Sequence, residues 1–288
     1  MPKKIITDNL IINNSSTEPT TPSANTGVVY AENLGTKTTL KIKDANSINT
    51  PLQDAFWSKN IIMWNTTNAT GGLWIGTVGT SAGTFTNTLP IAASLRATIK
   101  RALYSSVATT TNQVLGVYGT EALFFRASAP NYGGFYFYSR FTLDTWTNGG
   151  RLFVGLSGVG TATAIITSNP STATNIHTCG FAVDSTDNGV IYFITNNGTT
   201  TTKQLVSGFP VLSNSAYDTY IYCAPNGDTI YWEIKDLSGG TKVSGSQTLT
   251  LPGTSSFMRP YCVASNAALT LVNIIRIGVN KIYIQTDF

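Results

Sequence analysis

Charge is scarce in this sequence. Only 11% of its 288 residues are Asp, Glu, Lys or Arg, against about a quarter in an average globular chain. No acid occurs between Asp54 and Glu121, so the net charge of +4 reflects missing acids more than a built cationic surface. Lys3-Lys4 and Lys100-Arg101 are the only adjacent basic pairs, and no nucleic-acid footprint stands out. Histidine is nearly absent as well. His177 stands alone, as the single histidine of the sequence. The three cysteines, Cys179, Cys223 and Cys262, are odd in number, far apart and without CxxC spacing. Each lies in an apolar run, where a free thiol behaves as a small hydrophobe. Ligands for zinc and the DxDxDG spacing of a calcium loop are both missing, so no metal and no cofactor is expected. Long apolar runs are missing too: no stretch approaches the ~20 residues of a membrane helix. The N-terminus lacks the apolar core of a signal peptide, which points to synthesis in the cytosol.

What fills the sequence instead is 45 Thr and 26 Gly, with many Asn and Ser. Residues 1–55 form a first region. Lys4 to Ile12 has strand character, and Asn13 to Thr26 reads as a polar linker. Val28-Val29-Tyr30 and Thr38 to Lys43 then flank Asn33-Leu34-Gly35-Thr36 as a β-hairpin. In its second arm Leu40 and Ile42 alternate with Lys41 and Lys43, giving one apolar and one solvated face. Such a hairpin is marginal alone and needs a partner surface. Residues 56–120 form a connecting region of aromatics and turn-formers around Trp57, Trp64 and Trp74. There Ile91, Leu95, Ile99 and Leu103 recur every four residues after Thr88 and Pro90, which predicts one short helix.

Residues 121–288 read as continuous β. Phe135, Phe137, Ser139, Phe141 and Leu143 share one strand face, while Tyr136, Tyr138, Arg140 and Thr142 share the other. Further strands are expected at 151–156, 178–183, 190–195, 219–224, 229–235, 270–279 and 282–285. Asn-Gly pairs at Asn148-Gly149, Asn188-Gly189, Asn197-Gly198 and Asn226-Gly227 suit hairpin turns. The fold class is therefore all-β, an antiparallel, jelly-roll-like β-sandwich behind an N-terminal segment and hairpin.

Glycan hydrolysis needs two carboxylates facing one cleft. Strand parity puts Glu233 with Tyr231 and Lys235 on a solvated or groove-lining face, while Asp187 and Asp228 sit in turns and Asp184 just past a strand end. His177 shares parity with Cys179, Phe181 and Val183, which favours packing or a strand-end contact. No catalytic residue is assigned. Tyr132, Tyr136, Tyr138, Tyr217, Tyr220, Tyr222 and Tyr231 combine an apolar ring with a polar tip, suited to interfaces or sugar stacking. Tyr132 and Trp146, near turns, are the candidates for contact with a ligand, and Glu233 joins them.

Gly133-Gly134-Phe135-Tyr136-Phe137-Tyr138-Ser139-Arg140-Phe141, followed by Arg151-Leu152-Phe153-Val154-Gly155-Leu156, resembles bacteriophage tail-fibre and other virion appendage proteins. The resemblance continues through Asn175 to Asp184, Tyr217 to Asn226 and Ile282 to Asp287, and so spans roughly residues 120–288. Pro22 to Tyr30 and Lys37 to Asp44 are similar to the anchoring hairpin of phage fibres. The resemblance implies a non-enzymatic, homotrimeric virion protein. Residues 1–55 would attach it to other virion proteins, and the sandwich would meet a host surface glycan or protein. Two alternatives stay open: a head fibre, decoration or tail-connector protein with a purely assembly role, and a glycan depolymerase.

Overall fold

The computed structural model describes residues 19–24, 26–34, 37–45, 49–51, 59–66, 75–78, 84–107, 110–128, 132–158, 163–174, 176–211, 213–267 and 274–287. Two compact units divide the chain, Met1–Trp57 and Ser58–Phe288. In the first, β1 (Gly27–Leu34) and β2 (Lys37–Asp44) pair antiparallel from Gly27↔Asp44 to Leu34↔Lys37. A third strand, β3 (Asn49–Pro51), adds to β2. The expected hairpin is thus two strands of a three-stranded sheet. Lys43 departs from the simple alternation: it is buried, and its Nζ donates to the Pro19 carbonyl at 2.9 Å. A lysine stem can cover apolar surface while its ammonium reaches an acceptor. The run at 4–12, Trp57 and Trp74 lie outside the described residues.

The second unit contains β4 (Lys59–Asn65), β5 (Ile75–Val78), β6 (Thr84–Thr88), β7 (Arg101–Ser105), β8 (Val114–Gly119), β9 (Gly133–Thr145) and β10 (Arg151–Ser157). A one-turn helix α1 (Ala164–Thr167) and a 3-10 turn (Pro170–Thr172) precede β11 (His177–Val183), β12 (Val190–Asn197) and β13 (Thr201–Pro210). Then follow β14 (Ser215–Cys223), β15 (Ile230–Asp236), β16 (Lys242–Gln247), β17 (Arg259–Ser265) and β18 (Arg276–Asp287). Two antiparallel sheets result. One has the order β13-β12-β11-β10-β17-β8-β5, and the other β16-β15-β14-β9-β18-β7-β6, with β4 beside the C-terminal half of β18. The fold is the all-β, jelly-roll-like antiparallel sandwich, and residues 59–119 supply strands to both of its sheets.

Alternation builds the core between the sheets. Phe135, Phe137, Phe141 and Leu143 of β9 point inward with Leu152, Val154 and Leu156 of β10. Phe193 stacks on Trp232 of the opposite sheet at 5.4 Å between ring centroids, and Phe181 meets the same indole edge-on at 5.8 Å. The indole lies across Gly245 of the edge strand β16, where an added Cβ would stand 2.4 Å from Cζ2. All three thiols are free and buried in this core, and burial pushes Cys223 up to about 11 and Cys262 to about 12. Asn188, Gly189, Gly198 and Asn226 adopt positive φ at the expected turns.

Several local expectations fail. Residues 91–99 form turns and not a helix, with Thr98 N donating to Ser94 O at 3.0 Å and Ile99 N to Arg96 O at 3.2 Å, and Leu103 belongs to β7. Leu89, Ile91 and Leu95 are 64%, 64% and 48% exposed. No surface receives their stripe, and most helix stability in proteins comes from such packing. Of the strand expected at 270–279, residues 270–273 lie outside the described residues, and β18 begins at Arg276 and runs on through the separately expected 282–285 to Asp287.

A second apolar cluster covers the outer face of the seven-stranded sheet. Phe153, Ala182, Ile194, Tyr261 and Val263 pack there under Ile165 and Ile166 of α1. Polar staples hold this cover down. Asn169 Oδ1 accepts from Arg151 Nε and Ser185 N, and Asp184 accepts from Ser171 and from Lys203 Nζ at 2.8 Å. One face of the sandwich is thereby closed. Removing an inter-sheet ring tests the core: Phe193→Ala should lower the unfolding free energy by about 3–5 kcal/mol in urea denaturation. A loss under about 1 kcal/mol would mean that the sheets do not meet through these rings.

Candidate functional site

The outer face of the eight-stranded sheet is the open one, since both buried apolar clusters among the described residues lie elsewhere. Its composition follows from parity. On β9 the residues opposite the phenylalanines are Tyr136, Tyr138 and Arg140, and antiparallel register carries their neighbours into rows across the strands. One row reads Ser246, Tyr231, Tyr222, Tyr136, Gln285 and Ile61. The next reads Ser244, Glu233, Tyr220, Tyr138, Tyr283 and Met63. The third reads Lys242, Lys235, Asp218, Arg140, Lys281 and Asn65. Two aromatic rows thus run beside one charged row.

The rings touch across the strands. Tyr138 and Tyr220 lie 5.0 Å apart between centroids, Tyr136 lies 6.3 Å from Tyr220 and 6.4 Å edge-on from Tyr283, and Tyr222 lies 6.4 Å from Tyr231. Met63 and Ile61, 52% and 48% exposed, extend this surface on β4. Burial pushes the Tyr136, Tyr138 and Tyr220 phenols well above the usual tyrosine range, and the Asp218 carboxylate adds to the rise at Tyr138 and Tyr220. Asp218 is itself fully engaged. It accepts from Arg140 Nε at 2.7 Å and Nη2 at 2.8 Å, and from Tyr138 Oη at 3.0 Å. This fork raises the Arg140 pKa further above its already high value. Glu233 is partly exposed and pairs with Lys242 at 3.2 Å. The Gln285 amide donates to Tyr283 Oη, while its buried Oε1 has no partner.

The three residues singled out in the sequence separate. Glu233 lies in the central aromatic row, beside Tyr220. Tyr132 is 39% exposed but belongs to another cluster, where its ring lies 5.9 Å from Phe125, which in turn meets Phe257 at 4.7 Å. Trp146 was expected to be open to a ligand and is instead buried at 8% exposure in the inter-sheet core, because the end of β9 turns its indole inward. Tyr217 also faces the core, against Phe141 at 5.2 Å. Tyr283 was absent from the sequence candidates, although parity with Lys281 and Gln285 along β18 would have placed it.

The other titratable groups have local roles. His177 Nδ1 accepts from Gly253 N at 3.1 Å, and burial lowers its pKa. Asp144 accepts from Arg96, Arg101 and Thr142, pinning the 91–99 turns to the end of β9. Among the described residues no group of three or more His, Cys, Asp or Glu is placed to hold a metal.

Neither a family model nor a curated protein matches the sequence. Solved structures share the fold at low identity. A Shewanella oneidensis protein of unknown function matches with a TM-score of 0.54 and 14% identity, over 82% of this chain and 89% of its own. Arcelin-5, a lectin-like defense protein of Phaseolus vulgaris, gives 0.53 and 10% over 81% and 100%. The winged bean acidic lectin complexed with methyl-α-D-galactose gives 0.53 and 8% over 80% and 98%. At such identities the likeness establishes the sandwich and nothing about its ligand.

The raised tyrosine pKa values have a consequence in alkali. The folded state favours the neutral phenol, so this stabilisation is complete below the unfolded value of about 10 and is lost as pH rises above it. Urea midpoints should therefore fall above about pH 10, and less steeply in Tyr138→Phe and Tyr220→Phe. A midpoint flat across that range would show that these rings are solvated.

Proposed function

We propose that the sandwich is a non-catalytic glycan-binding module, and that the chain is an attachment component of a bacteriophage virion appendage. The observation that carries this reading is the pair of aromatic rows on the open sheet face. Tyrosine rings offer apolar faces to sugar C–H groups, while their hydroxyls, with Ser244, Ser246 and Gln285 beside them, are hydrogen-bonding groups suited to sugar hydroxyls. The face is broad and preorganised by strand pairing, so little side-chain entropy is lost on binding.

The segment Gly133 to Phe141, which resembles phage fibres, lies in β9 at the centre of the platform and supports the same reading. A hydrolase is disfavoured by the carboxylates: Asp218 is held by three donors and Glu233 by Lys242. In this reading the N-terminal three-stranded sheet joins other virion proteins, and trimerisation multiplies weak glycan contacts through avidity. One observation favours a purely assembly role instead: Ile61 and Met63 leave an exposed apolar edge on β4.

Binding of the full chain to immobilised bacterial surface polysaccharides and to a neutral glycan panel discriminates the two. Tyr138→Ala and Tyr220→Ala should each weaken retention about tenfold, the equivalent of roughly 1.4 kcal/mol. Far-UV circular dichroism and melting temperature identify any variant that merely unfolds. Virion incorporation without retention on any glycan would decide for the assembly role.

A further inference from the structure

The charged row beside the tyrosines is unbalanced. Lys242, Lys235, Arg140 and Lys281 face a single carboxylate in their own row, Asp218, and the nearest acid in the next row is Glu233. Arg140 commits Nε and Nη2 to Asp218, its Nη1 has no partner among the described residues, and its side chain is 36% exposed. Lys242 is taken up by Glu233. Lys235, exposed on β15, and Lys281, half-buried on β18, have no carboxylate partner among the described residues. In a chain with so few charges, this cluster of cations on the open face is an unusual concentration.

We propose that the ligand of this face is an anionic polysaccharide, one carrying carboxylate groups on its repeating units. This rests on the glycan-binding reading above and specifies its chemistry. The polymer lies across the strands, parallel to the rows. Its sugar faces cover Tyr220, Tyr138 and Tyr283, and its carboxylates point to the neighbouring row of Lys235, Arg140 and Lys281. Three strand spacings, about 14 Å, separate β15 from β18, so the two lysines meet acids on different sugars of one chain. A neutral glycan would use the tyrosines and leave the lysines solvated. The exposed cations act over about a Debye length, roughly 8 Å at physiological salt, so they strengthen binding in a salt-dependent way.

The test uses the full chain with polygalacturonate, its fully methyl-esterified neutral form, a panel of neutral glycans and a single-stranded DNA of matched charge. Polygalacturonate should bind at least tenfold more tightly than the ester, and the difference should shrink as salt rises. Lys235→Ala/Lys281→Ala should remove most of that difference and leave ester binding unchanged, while Tyr220→Ala should weaken both. Equal binding of acid and ester overturns the anionic assignment and leaves the glycan reading standing. Binding of neutral glycans without polygalacturonate does the same. DNA binding as tightly as polygalacturonate replaces the assignment with a general polyanion surface. Retention of no glycan at all removes both readings. Melting curves of the lysine variant guard against a folding artefact, and Lys235→Arg/Lys281→Arg should restore the preference.

Discussion

The sandwich depends on the register of three neighbouring strands, β14, β9 and β18. Along β9 a phenylalanine and a polar or tyrosine residue alternate, and the partner strands repeat that alternation in step: Ile221↔Phe137↔Ile284 inside, Tyr220↔Tyr138↔Tyr283 outside. A slip of one residue would exchange the faces, placing Arg140 and the tyrosines between the sheets and the phenylalanines in water. The penalty is large because every inward residue of the run is fully buried. The same register that secures the core therefore composes the aromatic rows. Core and candidate site are two faces of one constraint.

Scarcity of charge shapes the rest. With so few ionisable groups, the buried carboxylates act as staples. Asp184 ties the cover of the seven-stranded sheet to Lys203, Asp144 ties the 91–99 turns to Arg101, and Asp218 locks Arg140 and Tyr138 in place. A buried ion pair contributes little net stability over an apolar contact, but breaking one side is costly. These pairs therefore specify where loops rest more than they stabilise the whole. Thr, Ser and Asn carry the remaining polar contacts, as where Thr250 Oγ1 hydrogen-bonds with Thr195 O at 3.1 Å and with Thr202 Oγ1 at 2.7 Å.

Most of the fold was legible in the sequence because period-two alternation is a strong signal where one face is buried. β9, β10, β11, β12, β14 and β15 lie close to their expected spans. The edge strands gave no such signal. Along β13 and β16 many side chains are exposed, so no apolar alternation marks Thr201 to Gly208 or Lys242 to Gln247 as strand. The recurrence of Ile91, Leu95 and Ile99 misled for the opposite reason, since Ile91 and Leu95 meet no receiving surface and spacing alone specifies nothing. At the candidate site, parity identified which residues share a face of one strand. It did not supply the strand order β15-β14-β9-β18, and without that order Glu233, Tyr220, Tyr138 and Tyr283 are four unrelated positions. Trp146 failed because nearness to a turn says nothing about which way a side chain points.

The two outer faces of the sandwich then explain each other. On the seven-stranded sheet, Gly180 lets the Phe153 ring lie close over the backbone, with an added Cβ only 2.8 Å from Cε2. The resulting apolar surface is sealed by α1. On the eight-stranded sheet the aromatic positions are tyrosines, and no helix among the described residues seals them. Tyrosine is the residue that tolerates this intermediate state: its ring packs against neighbours while its hydroxyl can still take a polar partner, as Tyr138 Oη does in Asp218. A face that is half-buried by its own side chains is already ordered before a ligand arrives. In the proposed glycan-binding reading, that order suits a broad, repetitive ligand lying along the rows better than a small one needing an enclosing pocket.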